Sequence, residues 1–298
     1  MANPTQQDTL HKFRQQLFED GILQDGDTIG TDDETLLRFL HARSFDIALS
    51  KKMFADCQHW RKTVQGVGID RIYSQTDPFD YPERETVFKF WPMWFHKTDK
   101  QGRPINVQIL GKMDLSKLYK VCTPKRHWET VLANAECLPR EVLPAASRVA
   151  GRHIGTTLVI VDLKGFSLSQ FWQAKSIARD SFQMSQDFYP ETMGELVIIN
   201  APSSFTIIWN VIKPWLARDT AQKVSIYGKD YQKALLDLVD AESLPASLGG
   251  KCTCKDLGGC EFSGAGPWLD GRKGWGPRSK ARLEEANSEV MLSGAAKL

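Results

Sequence analysis

Two short stretches, TTLVIVD (156–162) and ELVIIN (195–200), have the continuous apolar, β-branched composition of strands that are buried on both faces. A stretch with helical periodicity, from about Leu168 to Phe188, separates them. A buried strand, a helix and a second buried strand in this order are typical of a parallel βαβ unit. This part of the chain therefore predicts an α/β domain whose helices pack on the sheet.

The same alternation continues on both sides of this unit. Further strands are predicted at 94–97, 105–110 and 224–227, with a turn at 99–102 between the first two. Helices are predicted at about 204–216 and 231–239. Thr123-Pro124 has the pattern of a helix cap followed by proline in the first turn, and it should open a long helix that Pro139 and Pro144 kink or interrupt.

The N-terminal part of the chain has a different, purely helical pattern. Thr31-Asp32-Asp33-Glu34 matches a capping box, and Asp46 is a second candidate cap before apolar residues at helical spacing. Residues 76–83 resemble a linker, and the chain after Gly249 is rich in glycine, proline and charge. We therefore expect a helical lobe (1–75), an α/β domain (84–262) and a C-terminal tail (263–298).

Composition limits the classes of function. Of the 298 residues, 42% are hydrophobic and 25% are charged, which are the proportions of a globular protein. The formal net charge of +2 gives no global field that would hold nucleic acid. Met1 to Asp8 is polar, no apolar run approaches the ~20 residues of a membrane span, and the six cysteines are expected to be reduced thiols. These features predict a soluble intracellular protein.

Motifs for catalysis or cofactor binding are missing from the sequence. It contains no G-x-G-x-x-G, no P-loop, no G-x-S-x-G and no pair of histidines at zincin spacing. Cys252, Cys254 and Cys260 offer three thiols without a nearby histidine in the sequence, so a tetrahedral zinc site would lack one ligand. We therefore expect no metal, no cofactor and no enzymatic activity. His96 is interpreted as a structural residue, and the cysteines as part of a glycine-rich surface loop in which a disulfide could form.

Several stretches, in this order and spacing, resemble the CRAL-TRIO (Sec fourteen-like) lipid-transfer family, and in particular its fungal phosphatidylinositol/phosphatidylcholine transfer proteins. They are LLRFLHAR (36–43), HKTDKQGRP (96–104), VDLKG (161–165), FYPETMGELVIINAP (188–202), KPWL (213–216), LPASLGGK (244–251) and GPW (266–268). The resemblance covers about residues 8–268. It implies a helical lobe followed by a mixed, mainly parallel sheet that floors an apolar cavity for one phospholipid.

The resemblance also implies a mobile helix that closes this cavity. Eight of the twelve residues from Phe205 to Leu216 are apolar, and they cover more than the single stripe that a surface helix needs. The alternative is a helix that is simply buried in the core. We expect a gate helix with Phe205, Ile208, Trp209 and Ile212 as its apolar residues, because exposing two acyl chains of roughly 30 methylenes would cost on the order of 25 kcal/mol.

Four residues match positions that bind phosphatidylinositol in the resembled proteins: Arg43, Glu191, Thr220 and Lys223. Arginine and lysine donate charge-assisted hydrogen bonds to a phosphodiester, threonine can donate from its hydroxyl, and glutamate can accept from inositol hydroxyls. The alternative for each is an ordinary surface residue. One position departs from the family pattern, because Ser44 stands where the resembled proteins usually have a basic residue.

The resembled proteins hold phosphocholine with two hydroxyl residues on one strand and several tyrosines. Thr157 keeps the first hydroxyl, whereas Val159 stands at the second position, and Phe95, Asn106 and Ala135 replace tyrosines. A buried phosphate without donors loses about 1–3 kcal/mol per missing bond. We therefore expect weak phosphatidylcholine transfer beside retained phosphatidylinositol transfer, with a less polar second lipid such as a sterol.

The expected function is thus that of a cytoplasmic, monomeric phosphatidylinositol transfer protein. By resemblance it would visit Golgi, endosomal or endoplasmic reticulum membranes, present phosphatidylinositol to lipid kinases, and support phosphoinositide signalling and vesicle traffic. The alternative on the same fold is a carrier or sensor of a sterol, another isoprenoid or haem.

Overall fold

The structure is a computed structural model, and it describes residues 4–279 of the chain. A five-stranded sheet has the order β1-β2-β3-β4-β5, in which β1 and β2 are antiparallel and the other neighbours are parallel. The strands are β1 (Met93–Thr98), β2 (Pro104–Ile109), β3 (Thr157–Asp162), β4 (Met193–Ile199) and β5 (Val224–Ile226). The mixed, mainly parallel sheet that the sequence predicts is therefore confirmed.

Helices precede the sheet and fill the connections between its strands. Before β1 lie α1 (Pro4–Glu19), α2 (Asp33–His41), α3 (Ile47–Thr63), α4 (Ile69–Gln75) and α5 (Arg84–Phe90). Between β2 and β4 lie α6 (Leu115–Val121), α7 (Pro124–Cys137), α8 (Leu143–Ala150) and α9 (Leu168–Phe188). After β4 follow α10 (Phe205–Ile212), α11 (Arg218–Gln222), α12 (Gln232–Leu238) and the short α13 (Cys260–Ser263).

Three helix caps show how local sequence sets these boundaries. The side chains of Asp46 and Thr123 accept the amide hydrogen bonds that begin α3 and α7, as predicted. The cap of α2 is Asp32, which accepts from the Thr35 amide, so the prediction of a Thr31 cap is wrong by one residue. The long helix is interrupted near Pro139, as predicted: α7 ends at Cys137, and a π-helical turn at Leu138–Val142 leads into α8.

The strand register assigns residues to the two faces of the sheet. Phe95, Asn106, Val159, Leu196 and Val224 are neighbours in one row that crosses all five strands. Residues that pair in register point to the same side of a sheet, and residues two apart on a strand share that side. This row and Thr157 therefore define one face, which we call the row face.

The first strand carries a bulge. Phe95 pairs with Asn106 and Thr98 with Pro104, so His96 and Lys97 together stand opposite Ile105 alone. Lys97 has a left-handed φ of 48°, as is common where one strand contains an extra residue. The bulge changes the direction of the strand beside His96, whose side chain is fully buried.

A buried ion pair joins the N-terminal lobe to the α/β domain. The Arg61 guanidinium of α3 donates to both carboxylate oxygens of Glu136 in α7, at 2.9 and 2.6 Å. The Tyr189 hydroxyl and Arg140 Nε also donate to this carboxylate, each at 2.6 Å. Glu136 is completely buried and Arg61 is 3% exposed, so water does not reach this ion pair.

The C-terminal segment packs on the domain as far as the structure describes it. Trp268 is 3% exposed, and its indole donates to the Gly264 carbonyl. Arg272 pairs with Asp77 in the segment between lobe and domain, at 3.0 Å, and Arg278 pairs with Asp80 at 2.7 Å. Of the predicted C-terminal tail (263–298), residues 263–279 thus pack on the domain, and residues 280–298 lie outside the described residues.

Candidate functional site

Three of the four predicted headgroup residues lie together at the β4–β5 edge of the sheet. Lys223 Nζ lies 3.1 Å from Glu191 Oε2, and it also donates to the Met193 carbonyl at 3.3 Å. The short helix α11 places Thr220 one turn before Lys223, whose amide donates to the Thr220 carbonyl. Both charged side chains of the pair are about one third exposed, so they remain accessible to a polar ligand.

The turn that carries Glu191 has an unusual backbone. Glu191 has a φ of 56°, in the left-handed region that costs a residue with a Cβ about 1–3 kcal/mol. Tyr189, two residues earlier, is anchored by its hydrogen bond to the buried Glu136. The lobe therefore helps to fix this turn, because Arg61 of the lobe holds the same carboxylate.

Arg43 lies in the turn between α2 and α3. Its guanidinium donates to the Ala42 carbonyl at 2.8 Å, and it has no ion-pair partner within residues 4–279. Ser44 and Phe45 follow with φ values of 50° and 62°. Phe45 and Phe188 both pack against the core of the lobe, which puts this turn on the side of the molecule where α9 ends. No hydrogen bond or ion pair joins Arg43 to Glu191, Thr220 or Lys223.

The row face gathers four of the five residues predicted for a second ligand. Phe95, Asn106 and Val159 are direct neighbours on β1, β2 and β3, and Thr157 lies two residues before Val159. The Thr157 hydroxyl donates to the Thr192 carbonyl at 3.2 Å. The Gln108 side chain, which the sequence analysis missed, donates from Nε2 to the side-chain oxygen Oδ1 of Asn106 at 2.9 Å. Its spacing of two from Asn106 on a strand could have identified it.

Ala135 lies apart from these residues. It packs with Ile72 of α4, Leu132 of α7 and Tyr189, at the contact with the lobe. Asn134, one position earlier on α7, instead lines a small pocket of about 20 Å³ that Phe95, Trp91 and His127 also line. Asn134, which the sequence analysis did not select, is therefore one of the polar residues that α7 presents to this pocket.

His127 is a buried titratable group of this pocket. Its ring is fully buried, Trp91 packs edge-on against it with ring centres 5.1 Å apart, and Nδ1 lies 3.5 Å from the Tyr119 hydroxyl. Nε2 has no hydrogen-bond partner among the described residues. Burial lowers the pKa of His127 to about 4, so the imidazole is neutral near pH 7.

The predicted gate helix is α10, followed by a single 3-10 turn at Lys213–Trp215. Phe205 and Ile208 are buried in the same apolar cluster as the sheet, and Trp209 and Ile212 pack against that cluster while partly exposed. Ile207 on the outer side is 50% exposed. One side of α10 thus covers the domain, and the other presents an apolar side chain to solvent.

Together these features define a class of protein: a helical lobe, then a mixed sheet with an apolar helix in its cover and an ionic group at one edge. The chain belongs to the CRAL/TRIO family, whose N-terminal domain matches residues 9–56 and whose CRAL/TRIO domain matches residues 89–250.

Three similar proteins each match most of this chain. Sec14 cytosolic factor of Schizosaccharomyces pombe is 43% identical over 89% of this chain and 88% of its own length. SEC14 cytosolic factor of Eremothecium gossypii is 40% identical, over 87% and 82%. Phosphatidylinositol/phosphatidylcholine transfer protein SFH4 of Arabidopsis thaliana is 37% identical over 88% of this chain, but only 42% of its own length.

A crystal structure of Sfh5 has the same fold. It superposes with a TM-score of 0.61, covering 84% of this chain and 88% of that one, at 15% sequence identity. At this identity the likeness concerns the fold alone. No helix within residues 4–279 combines the length and the apolar character that crossing a bilayer requires.

Proposed function

We propose that this protein transfers phosphatidylinositol between membranes as single molecules, without covalent chemistry. The observation that carries the proposal is the grouping of Lys223, Glu191 and Thr220 at one edge of the sheet. A lysine ammonium supplies the charge-assisted donor that a phosphodiester needs, and a carboxylate accepts hydrogen bonds from inositol hydroxyls. Membership of a family that includes named phosphatidylinositol transfer proteins supports the same substrate.

The apolar part of the lipid would replace side-chain contacts between α10 and the domain. In the structure α10 is closed against the domain, and Phe205 and Ile208 are buried. Opening exposes apolar surface at about 25 cal/mol per Å², a cost that contact with a bilayer offsets. The protein would therefore work from the cytosol and engage Golgi, endosomal or endoplasmic reticulum membranes transiently, as a monomer, presenting phosphatidylinositol to lipid kinases there.

The row face favours phosphatidylinositol over phosphatidylcholine. Val159 and Phe95 bring no hydrogen-bond donor, and the Thr157 hydroxyl already donates to a backbone carbonyl. A phosphocholine group on this face would find donors at the side-chain amides of Asn106 and Gln108 but not at these three positions, at about 1–3 kcal/mol for each missing bond. We propose a less polar second lipid, such as a sterol, for this face.

A vesicle assay with labelled phosphatidylinositol and phosphatidylcholine tests the proposal. We expect phosphatidylinositol to move about tenfold or more faster than phosphatidylcholine. Lys223→Ala and Thr220→Asp should each reduce phosphatidylinositol transfer about tenfold or more, since one removes a charged donor and the other adds a repelling carboxylate. Lys229→Ala, at an exposed lysine of the following loop, is the matched control and should transfer normally.

Equal transfer by the Thr220→Asp protein and the wild type would contradict the headgroup assignment. Phosphatidylcholine moved as fast as phosphatidylinositol would contradict the assigned preference. Mass spectrometry of molecules that co-purify with the protein tests the alternative function. If a sterol, an isoprenoid or haem co-purifies and phosphatidylinositol does not, the protein is a carrier or sensor of that other molecule.

A further inference from the structure

Four side chains that commonly ligate metals meet where the segment after the sheet returns to β1. They are His96 from the β1 bulge and Cys252, Cys254 and Cys260 from the following segment, and their ligand atoms all lie within 4.8 Å of one another. The sequence analysis found three thiols without a histidine, because His96 stands 156 residues before Cys252. The conclusion that the cluster lacks a fourth ligand is therefore wrong.

The spacing of these atoms is close to that of a tetrahedral zinc site. With Zn–S of about 2.3 Å and Zn–N of about 2.0–2.1 Å, neighbouring ligand atoms are about 3.5–3.8 Å apart. The sulfur atoms of Cys252 and Cys254 lie 3.5 Å apart, and the widest separation in the cluster is below 4.8 Å. Small side-chain rotations would bring all four to the spacing of a bound ion.

His96 gives an independent indication of a ligand. Its imidazole is fully buried, and neither ring nitrogen has a hydrogen-bond partner within residues 4–279. Buried polar groups almost always have a partner, because an unpaired one has lost its hydrogen bonds to water without replacement. A metal ion at the three thiols would satisfy one of these nitrogens.

We propose that His96, Cys252, Cys254 and Cys260 bind one structural Zn²⁺ ion. Four protein ligands leave no open coordination position, which distinguishes a structural site from a catalytic one. Thiolate and imidazole ligands favour zinc over magnesium or calcium, which prefer oxygen. Three thiolates and Zn²⁺ carry a net charge of −1, and Lys97 beside His96 supplies a compensating positive charge. The site lies outside the transfer function proposed above and does not depend on it.

The ion would fasten the C-terminal segment to the sheet. Cys260 begins α13, which packs against β1, and the chain continues to Trp268, whose ring meets Phe95 with centres 6.0 Å apart. Phe95 precedes His96, so the residue next to the metal ligand belongs to the row face. Zinc would thus stabilise one wall of the lipid-binding face through β1.

Metal analysis of the full chain purified under reducing conditions tests the site. We expect about one zinc per chain by inductively coupled plasma mass spectrometry. After zinc removal, added Co²⁺ should give the thiolate-to-metal charge-transfer absorption of a tetrahedral cysteine site. Chelation of the native protein should lower its melting temperature, because the bound ion contributes to folding free energy.

Variants separate this site from the other thiols. Cys254→Ser, at the half-buried ligand, and His96→Asn should each weaken zinc binding more than about tenfold. Cys122→Ser, at a buried cysteine outside the cluster, should keep the zinc. The proposal is overturned if wild type binds neither zinc nor cobalt, if a disulfide joins these cysteines in the reduced preparation, or if Cys254→Ser retains full metal affinity. Cys254→Ser decides the matter even where His96→Asn fails to fold.

Discussion

Buried His127 lost its hydrogen bonds to water on folding. Among the described residues, the one hydrogen-bonding contact that its ring makes is the long one between Nδ1 and the Tyr119 hydroxyl. The unfolded chain binds a proton at this histidine below its ordinary pKa of 6.5, whereas burial keeps the folded form neutral until about pH 4. Stability that is complete above pH 6.5 is therefore lost as the pH falls from 6.5 to 4. The loss from this one residue should reach at most about 3 kcal/mol.

Urea unfolding of wild type and His127→Gln across this pH range measures the effect. The difference between their free energies of unfolding should change with pH between 6.5 and 4, with the wild type losing more. His59→Gln, at an exposed histidine of α3, should follow the wild type at every pH. Parallel curves for wild type and His127→Gln would show that the folded protein already protonates His127 at its ordinary pKa.

At the scale of elements, α10 lacks the features that hold the lobe helix α3. Only Phe205 and Ile208 of its eight residues are buried, and no side chain caps its N-terminus. Helices with few buried contacts open locally at low cost. We expect hydrogen exchange to be about tenfold or more faster in α10 than in α3, and to accelerate further with anionic or highly curved vesicles.

The lobe helix α3 serves as the internal reference for this measurement, because it is capped by Asp46 and contributes several buried side chains. Exchange of α10 as slow as that of α3, with and without vesicles, would identify α10 as an ordinary core helix. The gate would then have to be a segment of the α/β domain other than α10.

Strands and helices were predictable here because their signals are local. The patterns at 156–162 and 195–200 identify β3 and β4, and Asp46 and Thr123 identify two helix starts, since each depends on neighbouring residues. The contacts between distant residues were not predictable. Arg61 and Glu136 are 75 positions apart, and no local pattern distinguishes this pair from surface charges. The assignment of Ala135 instead of Asn134 arose because helix rotation depends on packing that the sequence does not display.

For the whole molecule, the Arg61–Glu136 pair decides whether lobe and domain behave as one unit. Losing one partner of a buried ion pair costs about 3–5 kcal/mol when the other charge is left uncompensated. Glu136 keeps Arg140 as a second charged partner, so Arg61→Met should lower the free energy of unfolding by more than about 1 kcal/mol and by at most this amount. Burial raises the pKa of Glu136, but the hydrogen bonds and charge of Arg61 outweigh it and hold that pKa below its ordinary value, so the pair is ionised near pH 7.

Denaturant unfolding compares this variant with Lys52→Ala, which removes an exposed pair with Asp56 in the same helix. The control should change stability by less than about 1 kcal/mol. An Arg61→Met protein as stable as the control would mean that the charge of Arg140 and the hydrogen bond from Tyr189 suffice to stabilise the Glu136 carboxylate.

The contacts of residues 272–279 with the segment between lobe and domain have a genetic consequence. Asp77 is 2% exposed and Asp80 is 7% exposed, and their charges are balanced by Arg272 and Arg278. A premature stop codon between positions 263 and 271 would delete both arginines while leaving both buried carboxylates in the chain. The same deletion would remove the backbone amides of Trp275, Gly276 and Ser279 that donate to these carboxylates, so the shortened product would be less stable and a larger share of it would be cleared as misfolded.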